Sequence, residues 1–128
     1  MLYKLYQWPA SVYPGEADEI PDAKVDIDVA LNSLKQFGPQ RAEYGAKNLG
    51  KQKAYLWQIN FKVNRKQIRI LYAPYAEAIV VFRIHTKTSP QEQKHAYELA
   101  VKRKKHVDLL VKQHGVRAYE QLSCITIH

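Results

Sequence analysis

Gln58, Asn60, Lys62, Arg69, Arg83 and His85 occupy alternating positions in three closely spaced apolar runs. Successive side chains of an extended chain point to opposite faces. If the apolar residues of these runs face the core, the six polar side chains gather on one sheet face. Three of them carry a fixed positive charge, one is a histidine, and none is an acid. An anion site is built from such groups, and His85 adds a proton carrier near neutral pH. The solvated outer face of an antiparallel sheet shows the same alternation; the cationic bias is what favours an anion site over it.

The runs also predict the elements that position these residues. Residues 56–63, 67–73 and 78–85 are rich in Ile, Val, Phe, Tyr and Trp, which suit a pleated, half-buried surface. The breaks at 64–66 and 74–77 are short, so the runs form antiparallel neighbours in a three-stranded meander. Trp57, Ile59, Phe61 and Val63 share one face, as do Ile68, Ile70 and Tyr72, and Val80, Phe82 and Ile84. Leu71 and Val81 fall on the polar side.

Upstream, residues 2–8 alternate loosely and predict a strand that Pro9 ends. Residues 9–21 hold three prolines and Gly15 and are irregular, with one helical turn over 16–20. Asp22 caps a helix in which Ala23, Ile27, Ala30, Leu31, Leu34 and Phe37 recur at helical spacing, with Val25 and Val29 beside them. Gly38-Pro39 stops it. Residues 40–55 form a basic connection with Arg41, Lys47, Lys51 and Lys53, either a solvated loop or a polyanion clamp beside the sheet.

Downstream, Ser89-Pro90 starts a long helix that runs to Gln113 and ends at Gly115. Its apolar positions are Ala96, Leu99, Ala100, Val107, Leu110 and Val111. Arg103 falls on the same stripe, where an unpaired charge is costly to bury. It either reaches past the edge to water or meets an anion at the sheet. Residues 116–128 predict a helical turn over 117–122 and an extended piece over 124–127. The expected class is α+β: a small, mostly antiparallel sheet packed on an N-terminal helix and a long C-terminal helix. Residues 1–128 are read as one domain, with 114–128 an extension of unassigned role.

Charge is unevenly spread. The chain holds 20 basic and 12 acidic residues, a net of +8. Residues 1–40 contribute 3 basic and 6 acidic side chains, a net of −3; residues 41–128 contribute 17 and 6, a net of +11. That density points to a polyanion, most simply nucleic acid. There is no run long enough to span a membrane, no signal-peptide pattern, and no Gly-rich phosphate loop, CxxC or HExxH spacing. His85, His95, His106, His114 and His128 form no ligand cluster. Cys124 is the only cysteine, a buried or idle thiol rather than a nucleophile. A cytoplasmic location fits.

Phe37-Gly38-Pro39, Lys47-Asn48-Leu49-Gly50, Leu56-Trp57, Arg69-Ile70-Leu71-Tyr72, Lys87-Thr88, Ser89-Pro90, Ala100 and Arg103 stand in a telling order. In that order and spacing the chain resembles the RelE/HigB-type toxins of bacterial toxin–antitoxin modules, in particular the phage-related HigB branch, over roughly residues 1–107. The resemblance implies a RelE-like α+β fold and an endoribonuclease that cuts messenger RNA, usually on the ribosome, and is neutralised by a cognate antitoxin protein. It implies no metal and no cofactor, and no membrane partner. The ribose 2′-hydroxyl attacks the neighbouring phosphate, so the chemistry needs a base, an acid and cations on the phosphorane.

Residue by residue, the resemblance makes Arg69 the strand arginine that contacts the phosphate in the transition state. Lys87 matches a lysine after the last strand, Arg103 the helix arginine, and Tyr97 the helix tyrosine six residues before it. Lys47 matches the basic loop position; Lys51 and Lys53, from the basic connection, and Lys62, from the polar face, are expected as further RNA contacts on charge alone. Arg83 and His85 enter from the face argument. Gln58 and Asn60 depart from the family, which places lysines, or Glu and Arg, there; neither can act as a proton base. Two other readings stand beside the nuclease. One is a related toxin fold that inhibits a protein target such as gyrase, and the other is a non-catalytic RNA-binding or phage regulatory module.

Overall fold

The computed structural model describes residues 3–76 and 78–127. Leu2, at the start of the first predicted strand, lies outside them, as do Glu77 and His128. The expected meander is present: β3 (Trp57–Val63), β4 (Lys66–Tyr75) and β5 (Ala78–Thr86) pair antiparallel in succession. Asn64 and Arg65 make the first turn with φ of 49° and 70°, the left-handed pair that a two-residue hairpin demands. β1 (Lys4–Gln7) joins β5 in parallel, and β6 (Ser123–Cys124) closes against β1. With β2 (Lys47–Asn48) on β3, the order is β2-β3-β4-β5-β1-β6. The class is therefore α+β, with a mostly antiparallel sheet, an N-terminal helix and a long C-terminal helix.

α1 (Lys24–Phe37) buries Ile27, Ala30, Leu31 and Leu34 against one sheet face. A 3₁₀ turn over Pro21–Ala23 precedes it, and Ala23 rather than Asp22 is its cap. Asp22 is recruited elsewhere: it accepts from Lys66 Nζ at 3.2 Å and from the Asn64 amide at 3.3 Å, pinning the β3–β4 hairpin. Those bonds hold its carboxyl below the usual carboxylate range. Gly38 ends the helix at φ 95°, where a Cβ would meet the Tyr3 ring at 3.1 Å. The helical turn expected over 16–20 is present at residues 17–18 but begins earlier, as a π-helical turn over Val12–Glu16.

Two cores sandwich the sheet. On the α1 side Ile59, Ile70, Tyr72, Ile79, Val81 and Ile84 pack with the helix. On the other, Leu56, Leu71, Ala73, Val80 and Phe82 pack under α2 (Pro90–His114) and against Leu122 of the tail. This corrects the expected third strand, in which Val80, Phe82 and Ile84 share a face. Leu71 stands opposite Arg83, whereas Tyr72 stands opposite Val81, so Phe82 is the extra residue of a β-bulge. One inserted residue reverses the alternation. Val81, expected on the polar side, is thus core on the α1 side, while Arg83 and His85, beyond the bulge, remain on the same face as Arg69.

Ser89 caps α2 through its hydroxyl, which accepts from the Glu92 N–H at 3.2 Å, and Gly115 stops the helix. Only Ala96, Ala100 and Val107 of its 25 residues are buried; Leu99, Leu110 and Val111 are half-buried, so the stripe is narrower than expected. The tail is a 3₁₀ stretch, Gly115–Gln121, followed by β6, and Ile125 N–H donates to the Leu5 carbonyl at 2.9 Å. It covers the outer edge of β1. Cys124 is exposed there. Among the described residues no helix is long and apolar enough to cross a membrane.

Candidate functional site

The polar sheet face forms as the alternation predicts, but it is partly covered: Gln58 and His85 are buried, Asn60, Arg69 and Arg83 are half-buried, and Lys62 is exposed. Arg69 on β4 stands opposite His85 on β5 and Asn60 on β3; Leu71 stands opposite Arg83 and Gln58. The first half of α2 lies across these residues, leaving Gln58 2 % and His85 6 % exposed. Polar bonds hold the helix there. Arg69 Nη1 donates to Gln93 Oε1 at 2.7 Å and to the Tyr97 hydroxyl at 2.8 Å. That hydroxyl in turn donates to Gln58 Oε1 at 2.7 Å.

His85 Nδ1 lies 3.1 Å from the Thr86 carbonyl oxygen. A carbonyl only accepts, so Nδ1 carries the proton and Nε2 presents a lone pair. Burial pushes this imidazole down to about 4, and Arg83 and Arg69 push the same way, against the Thr86 bond and Glu16. His85 is therefore neutral at pH 7, which corrects the expected titration near neutral pH: it can accept a proton there but does not hold one at rest. Its Nε2 is buried with no partner among the described residues, and so are Arg69 Nε and Arg83 Nε. A buried unmet donor or acceptor costs about 1–3 kcal/mol; three of them stand on the neighbouring strands β4 and β5, while Arg41 Nε, on the 40–55 connection, is unmet as well.

Glu16 is the residue that sequence reasoning missed. The residue is 9 % exposed, and its carboxylate bridges two arginines. Oε1 accepts from Arg83 Nη1 at 2.8 Å and from the Ile84 N–H at 3.0 Å; Oε2 accepts from Arg103 Nη1 at 2.7 Å. β1 ends its pairing with β5 at Gln7 opposite Val81, so the Ile84 N–H lacks a strand neighbour and the carboxylate takes that role. Arg103 also donates to the Phe82 carbonyl at 2.6 Å. The anion that Arg103 meets at the sheet is thus internal. Nothing in the irregular stretch around Glu16 marks it in sequence.

Two clefts flank the first half of α2, each of about 570 Å³. Arg83, His85, Lys87, Arg65, Lys66 and His95 line the first, together with Glu16, Glu19 and Glu92. The second holds Gln52, Lys53, Gln93, Lys94 and Tyr97, with the Lys53 ammonium 5.1 Å from the Tyr97 ring centre.

The expected site residues therefore divide. Arg69, Arg83, His85 and Tyr97 come together beneath or against α2. Lys87 is exposed on the rim of the first cleft. Arg103 is separate, joined to Arg83 only through Glu16, so Arg69, Lys87 and Arg103 do not converge on one open hollow. Lys53 reaches the second cleft, Lys47 and Lys51 are exposed near it on the 47–53 connection, and Lys62 is exposed toward the end of β3.

No protein-family model matches the chain, and no curated protein matches its sequence. Among solved structures it is similar to the conserved hypothetical protein HP0894 from Helicobacter pylori, determined in solution. Identity is 12 %, the match covers 67 % of this chain and 94 % of that one, and the TM-score is 0.45.

Proposed function

We propose that this protein is a metal-independent endoribonuclease of the toxin type, acting on messenger RNA through the polar sheet face beneath α2. One observation carries the proposal: Arg69, Arg83 and His85 each keep a buried side-chain nitrogen without a partner among the described residues. The complementarity is chemical. A phosphodiester supplies acceptor oxygens for the two guanidinium N–H groups, and a ribose 2′-hydroxyl supplies a donor for the His85 lone pair. In this mechanism His85 Nε2 takes the 2′-hydroxyl proton while O2′ bonds to phosphorus. The P–O5′ bond breaks, the leaving oxygen takes up a proton from solvent, and a 2′,3′-cyclic phosphate and a 5′-hydroxyl result.

Arg69 and Arg83 would stabilise the phosphorane, and Lys87 would hold an adjacent phosphate at the rim. Arg103 acts through Glu16 on Arg83 and is a positioning residue in this account, whereas Tyr97 holds Arg69 in the RNA-free state. Lys47, Lys51, Lys53 and Lys62 would contact the RNA backbone, in keeping with the net +11 of residues 41–128. A cognate antitoxin protein and the ribosome are the partners that the RelE/HigB-type resemblance adds.

A second reading, RNA binding without cleavage, is favoured by Gln58 and Asn60, which cannot carry a proton. Induced expression in a bacterium, with transcript ends mapped, separates the two. New 5′-hydroxyl ends and arrested translation support the nuclease; RNA bound but uncut supports the second. Blocked replication with intact transcripts would point instead to a protein target such as gyrase.

A further inference from the structure

The two halves of α2 are held to the sheet in different ways. From Arg103 onward the helix is anchored by buried Val107, by the Arg103 bonds to Glu16 and Phe82, and by Asp108, which accepts from the Tyr75 hydroxyl at 2.6 Å. Before Ala100 it buries only Ala96. There its hydrogen bonds to the sheet are those of Gln93 and Tyr97, the half-buried Tyr97 ring also packs against the core on this side, and three nitrogens beneath it go unmet. Residues 87–89, which lead into it, are exposed and belong to neither helix nor strand. A cleft opens on each flank of this half. The helix lies like a bar across a trench.

We propose that the first half of α2 is a displaceable cover over a single trench that joins the two clefts, and that a single-stranded nucleic acid displaces it. The inference rests on the proposed RNA substrate and adds how that substrate reaches Arg69 and His85. Cations at both mouths, Lys87 and Lys53, suit a polyanion that crosses from one cleft to the other. A helix with its side chains is roughly 10–12 Å across, so the occupant must be thin and extended, which excludes a duplex. Displacement gives up the burial of Ala96 and the packing of the half-buried Tyr97 ring, a small apolar area beside that held by the second half, and segments with few buried apolar contacts open first. It also gives Arg69 and Arg83 the phosphate acceptors that the closed state withholds. The closed state lowers apparent affinity by the fraction of molecules that are open.

The test uses the full chain and a single-stranded RNA of about 12 nucleotides, 2′-O-methylated so that it cannot be cut. Amide exchange is followed with and without it, and its affinity is measured for wild type and for the Gln93→Ala/Tyr97→Phe double variant. RNA should speed exchange of amides 93–99 while β4 stays protected. The variant, whose cover is unlatched, should bind roughly tenfold more tightly. RNA bound with the exchange of 93–99 unchanged, or bound more weakly by the variant, overturns the cover but leaves the RNA reading standing. No binding by either protein overturns both, as does acceleration by polyglutamate but not by RNA.

Discussion

Arg69 and His85 face each other across β4 and β5, and each keeps a buried nitrogen unmet beneath a helix that bonds only one of them. The pairing sets opposite demands. The guanidinium needs an acceptor, and the imidazole, held neutral by burial, needs a donor. A nucleotide offers both, since its phosphate and 2′-hydroxyl are adjacent.

Stability should fall on acidification because of His85. The unfolded imidazole takes its proton at about 6.5, whereas the folded one resists until about 4. Between those values the unfolded chain holds more protons, so the contribution is full above about pH 6.5 and is lost as pH falls toward 4. It amounts to about 3 kcal/mol. In urea unfolding, the stability difference between wild type and His85→Gln should shrink by up to that amount from pH 7 to pH 4. A difference that does not change with pH would contradict the buried, neutral assignment.

Glu16 should matter more to folding than its irregular surroundings suggest. Glu16→Ala leaves Arg83 and Arg103 without their shared carboxylate, and breaking a buried pair costs about 3–5 kcal/mol. Glu16→Gln, which keeps an oxygen for the Ile84 N–H, should lose less. Denaturant midpoints measure both, and an alanine variant within about 1 kcal/mol of wild type would mean that the bridge is superficial.

The basic connection should read out in salt. If Lys47, Lys51 and Lys53 each neutralise a phosphate, replacing all three with alanine lowers the slope of log affinity against log salt by about 2, from roughly 0.7 per contact on a single strand. An unchanged slope would return residues 47–53 to a solvated loop.

The alternation of polar residues made Arg69, Arg83 and His85 legible together; alternation and short breaks gave the meander, periodicity gave both helices, and Ser89 marked the start of the second. What stayed hidden has physical causes. The bulge at Phe82 falls within Val80-Val81-Phe82, all apolar, so no break in pattern betrays the extra residue. The helix cover was obscure because α2 rests on that face through Gln93, Tyr97 and small alanines rather than a broad apolar stripe. Asp22 looked like a cap but is engaged by Lys66 and Asn64, which lie far off in sequence. Glu16 joins two arginines that only the folded sheet brings near it.

Transcript-end mapping after induction of wild type and Arg69→Ala, matched for protein level, tests the central claim most directly. Loss of one aligned transition-state donor costs about a hundredfold or more in rate. Wild type should therefore generate new 5′-hydroxyl ends within messenger RNA, and Arg69→Ala should generate roughly a hundredfold fewer. The same ends at the same frequency in both, or intact transcripts with the wild type, would contradict the assignment of this sheet face to RNA cleavage.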